Sequence, residues 1–173
     1  MAFPSTLVAE CGSRQSNGPR EDWSIRKWAR TCSGLNRVAK ALLGPFWGKT
    51  MIIINRERSI PIRTPHGSEI RPLIDRTTSG ITQCSLAEEI LPPNCAVTPH
   101  HHRELEEIYY ITSGRGMMTV GHETCEVVSG DAVYVPRGLK HSLANTGSEP
   151  IRLLLVCGPA FFYEDQVFED VTI

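Results

Sequence analysis

The sequence predicts an all-β domain, a sandwich or barrel built from antiparallel neighbours, preceded by an extension of about fifty residues. Three observations carry this. Between residues 81 and 157, short runs of Val, Ile, Leu, Tyr and Thr alternate with Gly, Pro, Asn and Asp. That is the pattern of many short strands joined by tight turns. No helix-length apolar period interrupts the same stretch. The charge also changes sign near residue 50: residues 1–49 carry eight Lys/Arg and three Asp/Glu, whereas residues 50–173 carry ten and sixteen.

At 173 residues with 40% apolar side chains, the chain has enough hydrophobic material for one ordinary core. The acidic body argues against a nucleic-acid partner. Six cysteines (Cys11, Cys32, Cys84, Cys95, Cys125 and Cys157) lie far apart without a Cys-x-x-Cys pair, so they read as reduced thiols. No apolar run approaches the ~20 residues a bilayer-spanning helix needs, so no membrane partner is expected. The N-terminus lacks the basic start and apolar core of a secretory signal. The expected localisation is cytoplasmic.

Residues 1–21 are rich in Ser, Gly and Pro, show no period, and are expected to be disordered. Residues 22–43 form a candidate amphipathic helix, with Trp28, Leu35, Val38 and Leu42 on one stripe, basic residues around it and Gly44-Pro45 as its stop. Three readings of this extension stay open: a targeting or membrane-surface helix, a docking helix, or a poorly ordered extension, including upstream sequence with Met51 as the true start. The barrel domain is expected over 51–173. It should open with a β-branched strand at 51–54, then Pro-rich extended chain through Pro61, Pro65 and Pro72. Further strands are expected at 81–91, 107–113, 117–120, 124–128, 132–135, 141–145 and 151–156, each bounded by Gly, Pro, Asn or Ser turn signals.

The densest chemistry lies between His100 and Glu107, which holds three histidines and three acidic residues. On an extended strand His100 and His102 share a face while His101 points the other way. Glu107 lies an odd number of positions past His102 and joins that face only if the chain bends through 103–106. The spacing proposes a metal site that the rest of the chain must complete. Imidazoles and a carboxylate suit Fe, Mn, Ni, Cu or Zn better than Ca or Mg.

Two spaced motifs in these residues resemble the cupin superfamily, in its small single-domain form. The first reads His100-x-His102, four residues, Glu107, six residues, Gly114; the second reads Gly130, five residues, Pro136-x-Gly138, two residues, His141, three residues, Asn145. The motifs span 94–114 and 130–145. One departure stands at Asn94, where the family usually has Gly; Asn tolerates left-handed backbone. The resemblance implies a double-stranded β-helix, or jelly-roll, barrel holding one divalent transition metal on His100, His102, Glu107 and His141. Fe(II) or Mn(II) is favoured, with Zn, Ni or Cu compatible. It also implies a homodimer and a small-molecule substrate turned over by dioxygenase, lyase, decarboxylase or isomerase chemistry. The alternative is a non-catalytic binding or sensing module.

Strand alternation also turns Tyr109 onto the metal-facing side, where its phenol could orient substrate or take a proton; the Glu-x-Tyr-Tyr run resembles cupin lyases acting on dimethylsulfoniopropionate. Tyr110 should face away. Of Glu88 and Glu89, one should point inward and one outward. Asp75, Arg76 and Arg103 are candidate anion contacts, and His66, His101 and His122 are expected on loops or exposed. Phe161-Phe162-Tyr163 could cap the barrel mouth.

Overall fold

Eleven strands, all paired antiparallel, make two sheets in the computed structural model, which describes residues 51–168. The extension at 1–50 and its candidate helix lie outside the described residues. The strands are β1 (Ile62–Arg63), β2 (Glu69–Ile74), β3 (Ser85–Leu91), β4 (His100–His102), β5 (Glu106–Ser113) and β6 (Arg115–Val120), followed by β7 (Glu123–Val128), β8 (Ala132–Val135), β9 (His141–Asn145), β10 (Ile151–Gly158) and β11 (Gln166–Phe168). One sheet has the order β1-β2-β3-β10-β5-β8 and the other β11-β4-β9-β6-β7. The expected all-β architecture is therefore present as a two-sheet sandwich. No described helix is long and apolar enough to cross a membrane.

The core sits between the sheets. Along β5 and β10 exposure alternates strictly: Glu107, Tyr109 and Ile111 are buried, as are Ile151, Leu153, Leu155 and Cys157. These side chains meet Leu91 of β3, Met118 of β6 and Leu143 of β9 across the interior. This is the half-buried strand pattern of a sheet packed on one face.

Four stretches differ from expectation. Residues 51–54 form no strand; Met51 and Ile53 are 83% and 78% exposed, and Asn55 instead caps a short 3-10 turn at Arg56–Arg58. β2 lies within what reads as Pro-rich extended chain. Pro72 is tolerated there because the β2–β3 register shifts between Pro72 and Ile74. β11 was not expected at all, since three residues are too few for a periodic signal. Residues 81–84 precede β3 rather than belonging to it. Asn94 does adopt the left-handed conformation, at φ 60°. Gly114 needs it too, at φ 86°, and a Cβ there would come within 2.9 Å of the Ile151 backbone.

Candidate metal centre

β4 ends at His102 and β5 begins at Glu106, with a bend between them; β4 belongs to the five-stranded sheet and β5 to the six-stranded one. The chain thus crosses from one layer to the other through 103–105. This crossing lets Glu107 face His100 and His102 despite its odd spacing. His141, first residue of β9, pairs directly with His100. The loop that delivers it is tied down where Gly138 N–H donates to the His102 carbonyl at 2.7 Å.

The four side chains predicted as ligands come together. His100, His102, Glu107 and His141 are all buried, and each offers one donor atom within 4.8 Å of the others. His100 Nδ1 lies 2.8 Å from the Thr98 carbonyl and His141 Nδ1 lies 3.0 Å from the Leu139 carbonyl. A carbonyl only accepts, so both Nδ1 atoms carry a proton, leaving Nε2 as the nitrogen available to the cluster. Glu107 Oε2 faces His102 Nε2 at 3.4 Å and His141 Nε2 at 3.2 Å. None of these three buried atoms makes a hydrogen bond. Buried polar atoms are normally satisfied, and a shared cation would satisfy all three at once.

Electrostatics agree. Burial pulls the His100 imidazole down to about 4, reinforced by His141, so it is neutral near pH 7. Burial alone would raise the Glu107 carboxyl, but His102 and His141 outweigh it and hold the group at about 2. A neutral His100 and an ionised Glu107 are in the protonation states a metal requires.

Asp165, Cys157 and Phe168 beside the cluster carried no signal in the sequence, whereas Phe161 lies in the run expected to cap the barrel mouth. Asp165 is buried beside the cluster, accepting from Glu104 N–H at 2.7 Å and Leu105 N–H at 3.3 Å, with Oδ2 3.3 Å from His102 Nδ1. That last approach is not aligned as a hydrogen bond, since His102 Nδ1 has no such partner. The Cys157 thiol donates to Glu107 Oε1 at 3.6 Å, and burial pushes its ionisation up, so it is a neutral neighbour. Phe168 packs on His100 at 5.7 Å between ring centroids and Phe161 stands edge-on to His102 at 6.3 Å. Only sixty residues of intervening chain bring the 161–168 segment back to 100–105, a relation no local pattern encodes.

Of the remaining candidates, Tyr109 is 2% exposed and stands edge-on to His141 with centroids 5.9 Å apart. Burial, then the charge of Glu107, holds its phenol well above the ordinary range. Tyr110 faces outward at 42% exposure. Arg76 and Arg103 do not line the site. Arg76 donates to the Ala160 carbonyl and stacks on Phe162, and Arg103 donates to the Glu164 carbonyl, so both pin the C-terminal segment. Asp75 caps its own turn through Thr77 and Thr78. Glu88 points outward to Arg56 and Arg152, and Glu89 points inward at 2% exposure. His122 is exposed; His66 and His101 are half-buried. The four described cysteines form no disulfide with one another.

The Cupin domain family matches residues 87–157. An uncharacterised protein of Methanocaldococcus jannaschii, MJ1618, is 39% identical over 118 residues, covering 67% of this chain and 94% of the relative. The polyketide cyclase RemF of Streptomyces resistomycificus superposes with a TM-score of 0.54 at 28% identity, covering 67% of this chain and 89% of that one. A predicted oxalate decarboxylase of Thermotoga maritima superposes at 0.58 with 24% identity, covering 62% and 99%, a likeness of fold. Two motifs with every spacing kept, four converging side chains between two antiparallel sheets and these matches make one case: the chain belongs to the cupin superfamily, as a single-domain Cupin protein.

Proposed function

We propose that the protein is a metal-dependent enzyme acting on a small polar substrate, carboxylate- or sugar-like, by dioxygenase, lyase or decarboxylase, or isomerase chemistry. The observation that carries this reading is the convergence of four buried donors, three of whose atoms lack a partner in the protein. Three imidazoles and a carboxylate suit Fe(II) or Mn(II) first, with Zn, Ni and Cu compatible. A bound ion of that kind supplies Lewis-acid polarisation of a substrate oxygen. The chain itself supplies Tyr109, whose place beside His141 suits it to hold a substrate oxygen or pass a proton. A polyketide cyclase among the similar structures supports the enzymatic reading.

A second reading, a module that holds a small ligand without converting it, is favoured by the aromatic cover of Phe161 and Phe168 over the ligands. Metal analysis of protein purified without a histidine tag tests what both readings share. The expected content is about one transition metal per chain, lost in His102→Ala and in His141→Ala; full retention in both variants overturns the site. Oxygen uptake by anaerobically Fe(II)-loaded protein, across small acids, thiols and sugars, then separates dioxygenase from lyase and isomerase chemistry. Tyr109→Phe should keep its metal and lose about 10²–10⁴-fold in turnover if the phenol moves a proton. Unchanged turnover reduces Tyr109 to packing.

A further inference from the structure

We propose that Glu89 on β3 contacts the substrate and selects ligands whose end remote from the metal is a hydroxyl or an amine, over small dicarboxylates; this rests on the metal-centre reading above. The registers of β3, β10 and β5 arrange the inner sheet face in rows. Ser85, Cys157 and Glu107 form one row; Ala87, Leu155 and Tyr109 the next; Glu89, Leu153 and Ile111 the third. Glu89 therefore shares the buried face of Glu107, with the Tyr109 row between them.

Its carboxylate is 2% exposed, and Oε1 has no hydrogen-bond partner. The nearest imidazole nitrogen, His66 Nε2, lies 3.6 Å away, beyond hydrogen-bond reach. That nitrogen is engaged at 2.9 Å with Ser68 Oγ, while His66 Nδ1 faces Thr98 Oγ1 at 3.4 Å. A buried carboxylate oxygen without a donor is costly, and native proteins tend to keep one where a ligand completes it. After burial and Glu107, the Glu89 charge also helps hold the Tyr109 phenol protonated, which places the carboxylate within electrostatic reach of the site.

The surroundings decide the ligand class. The buried carboxylates and imidazoles among the described residues are Glu89, Glu107, Asp165 and the three histidines of the cluster, and no Lys or Arg is buried with them. A dianion bound to the metal by one end would press its other carboxylate toward Glu89 without a compensating cation, and like charges repel strongly where water is excluded. A hydroxyl or ammonium group would instead supply the donor that Oε1 lacks.

Calorimetry of metal-loaded protein with two matched series tests this: succinate, 4-hydroxybutyrate and 4-aminobutyrate, then adipate, 6-hydroxyhexanoate and 6-aminohexanoate. At one length or both, wild type should bind the hydroxy or amino member at least about tenfold more tightly than the dicarboxylate. Glu89→Gln should erase or reverse that ratio with metal content unchanged. The assignment is overturned if the dicarboxylate binds tightest to wild type at both lengths, if no member binds, or if Glu89→Gln keeps the wild-type ratio. Should Glu89→Gln fail to fold, the wild-type ranking alone decides. Elemental analysis of the same samples keeps the two ideas apart: a wild type that takes up no metal overturns both, whereas a loaded wild type without the preference overturns Glu89 alone.

Discussion

His100 is neutral because burial strips water from its ring and His141 stands beside it, which together bring it down to about 4. Glu107 stays ionised for the opposite reason, since His102 and His141 overcome the effect of its burial and hold it at about 2. Both shifts act on stability with one sign. In metal-free protein the unfolded chain takes up a proton on His100 below its ordinary value of 6.5 and on Glu107 below 4.5, while the folded chain resists until about 4 and about 2. The unfolded state binds more protons in these windows, so stability must fall as pH falls through them. Urea unfolding of metal-stripped protein should show a midpoint that drops between pH 6.5 and 4 with an unchanged slope. A flat midpoint across that range would contradict the burial of His100. Parity along the strand suffices to place Tyr109 inward and Tyr110 outward, because β5 runs without a bulge from Glu106 to Ile111.

At the scale of elements, the decisive feature is a strand that stops early. Had β4 continued past His102 in one sheet, Glu107 would have turned to the opposite face. Asp165 helps hold the break by accepting from the N–H groups of Glu104 and Leu105, inside the bend itself. β11, which follows directly, pairs with β4 through His102, His101 and His100. The C-terminal segment is therefore a second support for His100 and His102. Asp165→Ala should weaken metal binding, because it leaves the Glu104 and Leu105 N–H groups without their acceptor inside the bend that turns Glu107 toward the histidines. Competition with a chromophoric chelator would measure it, and an affinity equal to wild type would confine Asp165 to the turn. Asn145 plays a comparable structural part at the far end of β9, donating to the carbonyls of Leu91 and Glu149 and accepting from Gly147 N–H. Its place in the second motif is explained by these bonds rather than by chemistry at the metal.

For the whole molecule, the site needs both layers: His100, His102 and His141 come from the five-stranded sheet and Glu107 from the six-stranded one. Metal binding should thus report on the docking of the sheets, not on either alone, and a bound ion should raise the unfolding midpoint by mass action. A homodimer is the further expectation from family resemblance. Light scattering coupled to size exclusion should give twice the chain mass of 19.2 kDa, and a single-chain mass would discard it.

The four-residue cluster was legible through two spaced motifs and the family they resemble. Local rules were enough for the β character, most strand positions from 107 onward and the left-handed turn at Asn94, each of which depends on neighbours within a few residues through alternation and through Gly, Pro and Asn as punctuation. The tertiary structure decided what those rules cannot reach. It ended β4 at His102 so that parity could be broken. It brought Asp165, Phe161 and Phe168 back onto the histidines, and it chose Glu89 over Glu88 as the inward carboxylate. Alternation says that one of two adjacent residues faces in, but only the packing of one sheet against another determines which face is inside.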